Sequence, residues 1–81
     1  GIIIPPKIFI KEIFKLFKEN NIYIIVDEIW NGMGRTGKFF SFQRFNIKPD
    51  FVCLGKALSS TLPLSAVAGP KKILKSAFAK I

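Results

Sequence analysis

The sequence contains no histidine. That absence removes Ser/His and Cys/His nucleophile pairs and most zinc sites, so no metal centre is expected. Cys53 is the single cysteine, and no internal disulfide can form. Set in an apolar run, it reads as a small core residue. An N-terminal apolar run long enough to cross a membrane is lacking too. Gly1-Ile2-Ile3-Ile4 is too short for a signal peptide core or a membrane span, and no basic segment precedes it. The expectation is a soluble cytoplasmic protein with no membrane partner. Gly1 is not an initiator methionine, which fits either methionine removal or truncation.

Acidic residues are scarce. Five Asp and Glu stand against thirteen Lys and Arg, for a formal charge of +8. Such a balance can serve nucleic acid, with binding that falls steeply as salt rises. Arginine occurs only at 35 and 44, however, and the lysines are scattered rather than clustered. A solvated surface is the simpler reading, and a basic nucleic-acid-binding module is the weaker alternative.

What the chain has in quantity is apolar sequence, 49% of its residues including nine Phe. A chain of 81 residues makes at most one small domain and buries about 60–65% of its unfolded surface. So much apolar sequence suits a piece of a larger core. Pro5-Pro6 opens a helix to Glu19, proline being tolerated in a first turn. Ile10, Ile13, Phe14 and Phe17 share one helical face, expected to pack on a sheet, and Lys7, Lys11, Lys15 and Lys18 lie opposite. Asn20-Asn21 ends the helix. Ile22 to Val26 is continuously apolar, as a strand buried on both faces would be. Asn31 to Lys38 is a glycine-rich loop, and Phe39 to Phe45 suits one or two helical turns. Asn46 to Asp50 is a turn, Phe51 to Leu54 a second strand and Ser65 to Gly69 a third. A last helix starts at Pro70. The order predicts an α/β fold.

Two charges stand where the first two strands end. Asp27 closes the run Ile22 to Val26, and Lys56 closes Phe51 to Gly55. In open α/β sheets, ligands bind outside the carboxyl ends of the strands. An amine and a carboxylate aimed at one crevice suit pyridoxal phosphate: a lysine holds the aldehyde as a Schiff base, and an acid keeps the ring nitrogen protonated. Taken singly, Asp27 could be a strand-end cap and Lys56 a surface lysine. Gly32-Met33-Gly34-Arg35-Thr36-Gly37 also matches the dinucleotide pattern GxGxxG. Against that, Asp27 to Asn31 intervene between strand and glycine, Lys38 follows the third glycine, and Lys56 ends the next strand in place of an acid.

The stretch IIVDEIWNGMGRTGKFFSFQRFNIKPDFVCLGKALSSTLPLSAVAG resembles the heart of the class III aminotransferases. These are pyridoxal-phosphate enzymes of fold type I that include the 4-aminobutyrate, ornithine and acetylornithine transaminases. VDE at a strand end, GRTGKFF in the loop, KPD in the turn, LGKAL around the lysine and LPLSAV after it carry the likeness. It implies that residues 1–81 are part of a cofactor-binding large domain with no complete boundary, on a mostly parallel sheet with flanking helices and an antiparallel last strand. It implies pyridoxal 5'-phosphate as cofactor, Lys56 as the residue that links to it and later shuttles a proton, and Asp27 as partner of the pyridine nitrogen. It implies amino-group transfer from an amine or amino acid to a 2-oxo acid, within a homodimer.

Relatives often carry Gln, which bonds the cofactor's phenolic oxygen, where this chain has Trp30. Indole offers one donor and no acceptor, so Trp30 is assigned to the cofactor site with a bearing on substrate preference. Ser59-Ser60-Thr61 replaces the family's glycine run after the lysine. Arg35 and Thr36 match the family loop without an assigned chemistry. The family's phosphate-cupping loop, ring-stacking aromatic, substrate arginines and small domain have no counterpart here. The expectation is an internal fragment, inactive alone, with a non-catalytic scaffold or interaction remnant as the alternative.

Overall fold

The computed structural model describes residues 4–34, 36–59 and 61–78. Helix α1, Lys7–Glu19, starts after Pro6, whose extended backbone is the proline-compatible way into a helix. Its end is built from both asparagines. The Asn20 side chain donates to the Leu16 carbonyl at 2.7 Å, and Asn21 takes the left-handed conformation at φ 56°. Ile10, Ile13, Phe14 and Phe17 are half-buried while Lys11 and Lys15 are exposed, as their spacing predicts. The partner differs from expectation. Among the described elements, α1 lies mainly against the 3-10 turn Ser41–Phe45 rather than on the strands. The expected helical turns at Phe39 to Phe45 therefore exist as this tighter turn.

Three strands form one sheet in the order β1-β2-β3: β1 Ile25–Asp27, β2 Phe51–Leu54 and β3 Ala66–Ala68. β1 and β2 run parallel, with Asp27 beside Cys53. β3 runs antiparallel to β2, with Cys53 beside Val67. The fold is α/β with a small mixed sheet, closed at the chain's end by helix α2, Lys71–Phe78. No helix among the described residues is long and apolar enough to cross a membrane.

The first strand begins three residues later than its apolar run. Ile24 is buried at 5% exposure, but its carbonyl accepts N–H bonds from both Asp50 and Phe51, so regular pairing starts only after it. Burial on both faces does not hold. Ile22, Tyr23 and Ile25 are all exposed, Tyr23 and Ile25 at 65%. Cys53 is half-buried and free.

The start of the sheet is tied to α1 through Asp50. Its carboxylate accepts the Ile24 N–H at 2.8 Å and faces the Lys18 ammonium at 3.2 Å. The backbone bond, helped by Lys18, holds the Asp50 carboxyl below its ordinary value.

Candidate functional site

Parallel pairing puts the carboxyl ends of β1 and β2 side by side. Asp27 is the last residue of β1. Lys56 follows β2 by two positions and opens a short 3-10 turn, Lys56–Leu58. Strand spacing and rise keep their Cα atoms within about 11 Å. Both side chains are exposed at this edge of the sheet. The two candidate site residues thus stand at the same end of the sheet, past neighbouring strands.

Each is set by local backbone chemistry. The Asp27 Oδ1 atom accepts the Ile29 N–H at 2.9 Å, an Asx turn that fixes the carboxylate just past the strand. Among the described residues no hydrogen bond engages Oδ2. Lys56 has φ 39°, a left-handed backbone that a side-chain-bearing residue adopts at a cost, and such positions cluster at functional sites. Gly55 before it is buried, and a Cβ there would lie 3.2 Å from Ile29 Cγ2. Lys56 lines an open groove of about 490 Å³ with Gly55, Ser59, Leu64 and Ile29. Asp27 and Trp30 do not line that groove.

Trp30 is the third candidate. Its indole is exposed, and the Lys56 Nζ lies 5.5 Å from the ring centroid, within range of a cation–π contact. The structure therefore brings Trp30 to the lysine.

Glu28 holds this loop in place; the sequence marked it only as the last residue of VDE, with no role attached. It is 1% exposed. Its Oε2 accepts the Ser41 hydroxyl at 2.6 Å and its Oε1 accepts the Phe42 N–H at 2.9 Å. Its own N–H bonds to the Cys53 carbonyl at 2.9 Å and its carbonyl accepts the Gly32 N–H at 2.8 Å. A Cβ at Gly32 would stand 2.7 Å from that carbonyl oxygen, so only glycine fits there. The only sequence signal was an acid directly after a strand; its partners lie thirteen and fourteen residues on.

The glycine loop is a turn and not the start of a dinucleotide helix. Gly34 donates to the Phe39 carbonyl and Gly37 to the Gly34 carbonyl, with φ 91° and 94° at the two glycines. The Arg44 guanidinium donates to the Thr36 carbonyl. Arg35 lies outside the described residues, as does Ser60.

An amine and a carboxylate on neighbouring strand ends, one carboxylate oxygen still available and a groove beside the amine, are a donor set that fits pyridoxal 5'-phosphate. Among the described residues, Lys56 is the only cation lining that groove, so no separate partner for a phosphate is evident there.

Residues 1–79 match the family model described as "Aminotransferase class-III". The chain is 49% identical to an ornithine aminotransferase of Staphylococcus carnosus, over 91% of this chain and 19% of that enzyme. It is 46% identical to an alanine/serine racemase of Pyrococcus horikoshii, over 91% of this chain and 16% of the racemase. Among solved structures, an ornithine aminotransferase from Plasmodium yoelii superposes with TM-score 0.87 at 37% identity, over 93% of this chain and 20% of that one. A thermostable (S)-enantioselective omega-transaminase from Thermomicrobium roseum gives 0.86 at 30% identity, over 98% and 18%. The chain thus spans less than a quarter of the length of these relatives. Solved fold-type-I transaminases contain the fold these strands and helices form, and the chain belongs to the class-III aminotransferase family.

Proposed function

We propose that these 81 residues carry the cofactor lysine of a pyridoxal-phosphate-dependent transaminase, which moves an amino group from an amine or amino acid to a 2-oxo acid. The observation that supports the reading is the placement of Asp27 at the end of β1 and of Lys56 just past the end of β2, two adjacent parallel strands. Bound there, pyridoxal 5'-phosphate supplies an aldehyde for amines and an electron-poor ring that acidifies the neighbouring C–H. The Lys56 Nζ would hold the cofactor at its aldehyde and, when not linked to it, would take and return a proton at the substrate Cα. The Asp27 carboxylate holds the proton on the ring nitrogen, and the Asx turn to Ile29 keeps that carboxylate from rotating away. Trp30 lies beside Lys56 and shapes the space open to the substrate. By family resemblance the whole protein is a homodimer.

Racemisation is the second reading. It is favoured by the 46% identity to an alanine/serine racemase, and a leucine/methionine racemase of Thermococcus litoralis matches at 40%. The same two residues serve it, with the proton returned to the opposite face of Cα. Transfer of label from amino donor to 2-oxo acid, against loss of optical purity without transfer, separates the two.

Mapping the lysine tests the shared core. The whole protein is incubated with pyridoxal 5'-phosphate, reduced with borohydride and digested for mass spectrometry. The expected result is selective modification of Lys56, lost in Lys56→Ala and weakened in Asp27→Asn. Equal modification across the surface lysines overturns the reading. The 81 residues alone, with no phosphate partner in the Lys56 groove, are expected to give that unselective pattern.

A further inference from the structure

Trp30 lies within cation–π range of Lys56 instead of standing apart from it. The indole centroid is 5.5 Å from the Lys56 Nζ. Two separate devices bring them together. On one side, the turn after β1 is fixed three times over: Asp27 Oδ1 takes the Ile29 N–H, the Glu28 carbonyl takes the Gly32 N–H, and the buried Glu28 carboxylate takes Ser41 and Phe42. Trp30 sits inside that turn. On the other side, the left-handed backbone at Lys56 and the contact of Gly55 with Ile29 set where the lysine leaves β2. The backbone on each side is thus fixed where the two side chains leave it.

We propose that Trp30 is a positioning residue for Lys56, its indole face holding the ammonium at the mouth of the crevice whenever the amine is not covalently engaged. This rests on the reading of Lys56 as the cofactor lysine. An aromatic face attracts an ammonium and not a neutral amine. The indole therefore keeps the unlinked lysine ammonium ordered near the crevice and less free to react. Gln, the residue relatives often carry at this position, has no such face. The chain's Trp30 thus couples the strand end that carries Asp27 to the one that carries Lys56.

The test needs no cofactor. The whole protein, cleared of bound carbonyl compounds by hydroxylamine and dialysis, is reductively methylated with formaldehyde and cyanoborohydride, and the initial rate at Lys56 is read by mass spectrometry. Wild type, Trp30→Phe, Trp30→Leu and Trp30→Met are compared below and above the ordinary lysine range, at about pH 7 and about pH 11. At the lower pH, Trp30→Leu and Trp30→Met are expected to speed Lys56 labelling about two- to five-fold, with Trp30→Phe between them and wild type. At the higher pH, where lysines in general are mostly neutral, the difference should shrink. Two non-aromatic variants guard against one that fails to fold. Equal rates at the lower pH overturn the proposal. So does a rise of equal size at both pH values, which would mean simple steric cover. Failure of selective pyridoxal phosphate labelling would remove the cofactor reading while leaving this rate comparison intact, so the two can fail separately.

Discussion

Removing the Glu28 carboxylate strands two donors, the Ser41 hydroxyl and the Phe42 N–H. The hydroxyl can turn toward water. The Phe42 amide is fixed by the 3-10 turn and cannot. A buried donor left without its partner costs about 1–3 kcal/mol. Glu28→Ala is therefore expected to loosen the turn that carries Trp30 and to destabilise the protein by about that amount. Glu28→Gln keeps an acceptor for Phe42, and the Ser41 hydroxyl can rotate to accept from the new amide, so its effect should be smaller. Amide hydrogen exchange at Phe42 checks this: fast in the alanine variant and near wild type in the glutamine variant. Equal exchange in all three would show that the clamp is idle. Lys56 is the other residue with a local cost. Its φ of 39° would relax in Lys56→Gly, so the strain falls at the lysine proposed to hold the cofactor.

Asp50 joins three elements, since it bonds Ile24 before β1, stands at the start of β2 and faces Lys18 of α1. Its carboxyl is held below the ordinary value of 3.8, chiefly by the Ile24 N–H and then by Lys18. A depressed folded value means stability fully present above 3.8 and lost as the pH falls through the lower folded value. Wild type should lose its advantage over Asp50→Asn across that acid window, with no change in the difference at neutral pH. Acid titration of both proteins by circular dichroism reads it, and a constant difference down to full protonation would refute the linkage. The same turn explains what the sequence could and could not reveal. β2 was legible to the residue because the Lys48-Pro49-Asp50 turn and Gly55 bracket it. β1 was not, because Ile22 to Val26 is apolar throughout and carries no mark of where pairing begins; Asp50 and Phe51 set that point from another part of the chain. Asp27 and Lys56 were readable as charges closing apolar runs. Glu28 was unreadable, since its partners are defined only once the chain has turned. Helix α1 showed its apolar face but not its neighbour, which periodicity does not encode.

The exposed surface is too large for a self-sufficient domain. A compact chain of 9.1 kDa would leave about 4,900 Å² accessible by the usual scaling, whereas this one leaves 6594 Å². The radius of gyration is 14.1 Å, against about 11.7 Å expected for this length. The excess is apolar in part: Ile8, Tyr23, Ile25, Leu62, Leu64 and Val67 are each more than half exposed. Among the described residues, Ile24 is the one fully buried apolar side chain. β1 and β3 also have an unpaired edge each among the described strands, and open edges beside apolar faces invite pairing with other chains. The net charge of +8 opposes association, but that repulsion is screened beyond about 8 Å at physiological salt, while apolar contact is not. The 81-residue polypeptide on its own is therefore expected to self-associate, and to do so more strongly as salt rises. Sedimentation velocity across a salt series, with dye binding to exposed apolar surface, measures both. A monodisperse monomer that unfolds cooperatively and binds no dye would show that the sheet needs no further cover. Association that weakens with salt would assign it to charge instead of the uncovered faces of β1 and β3.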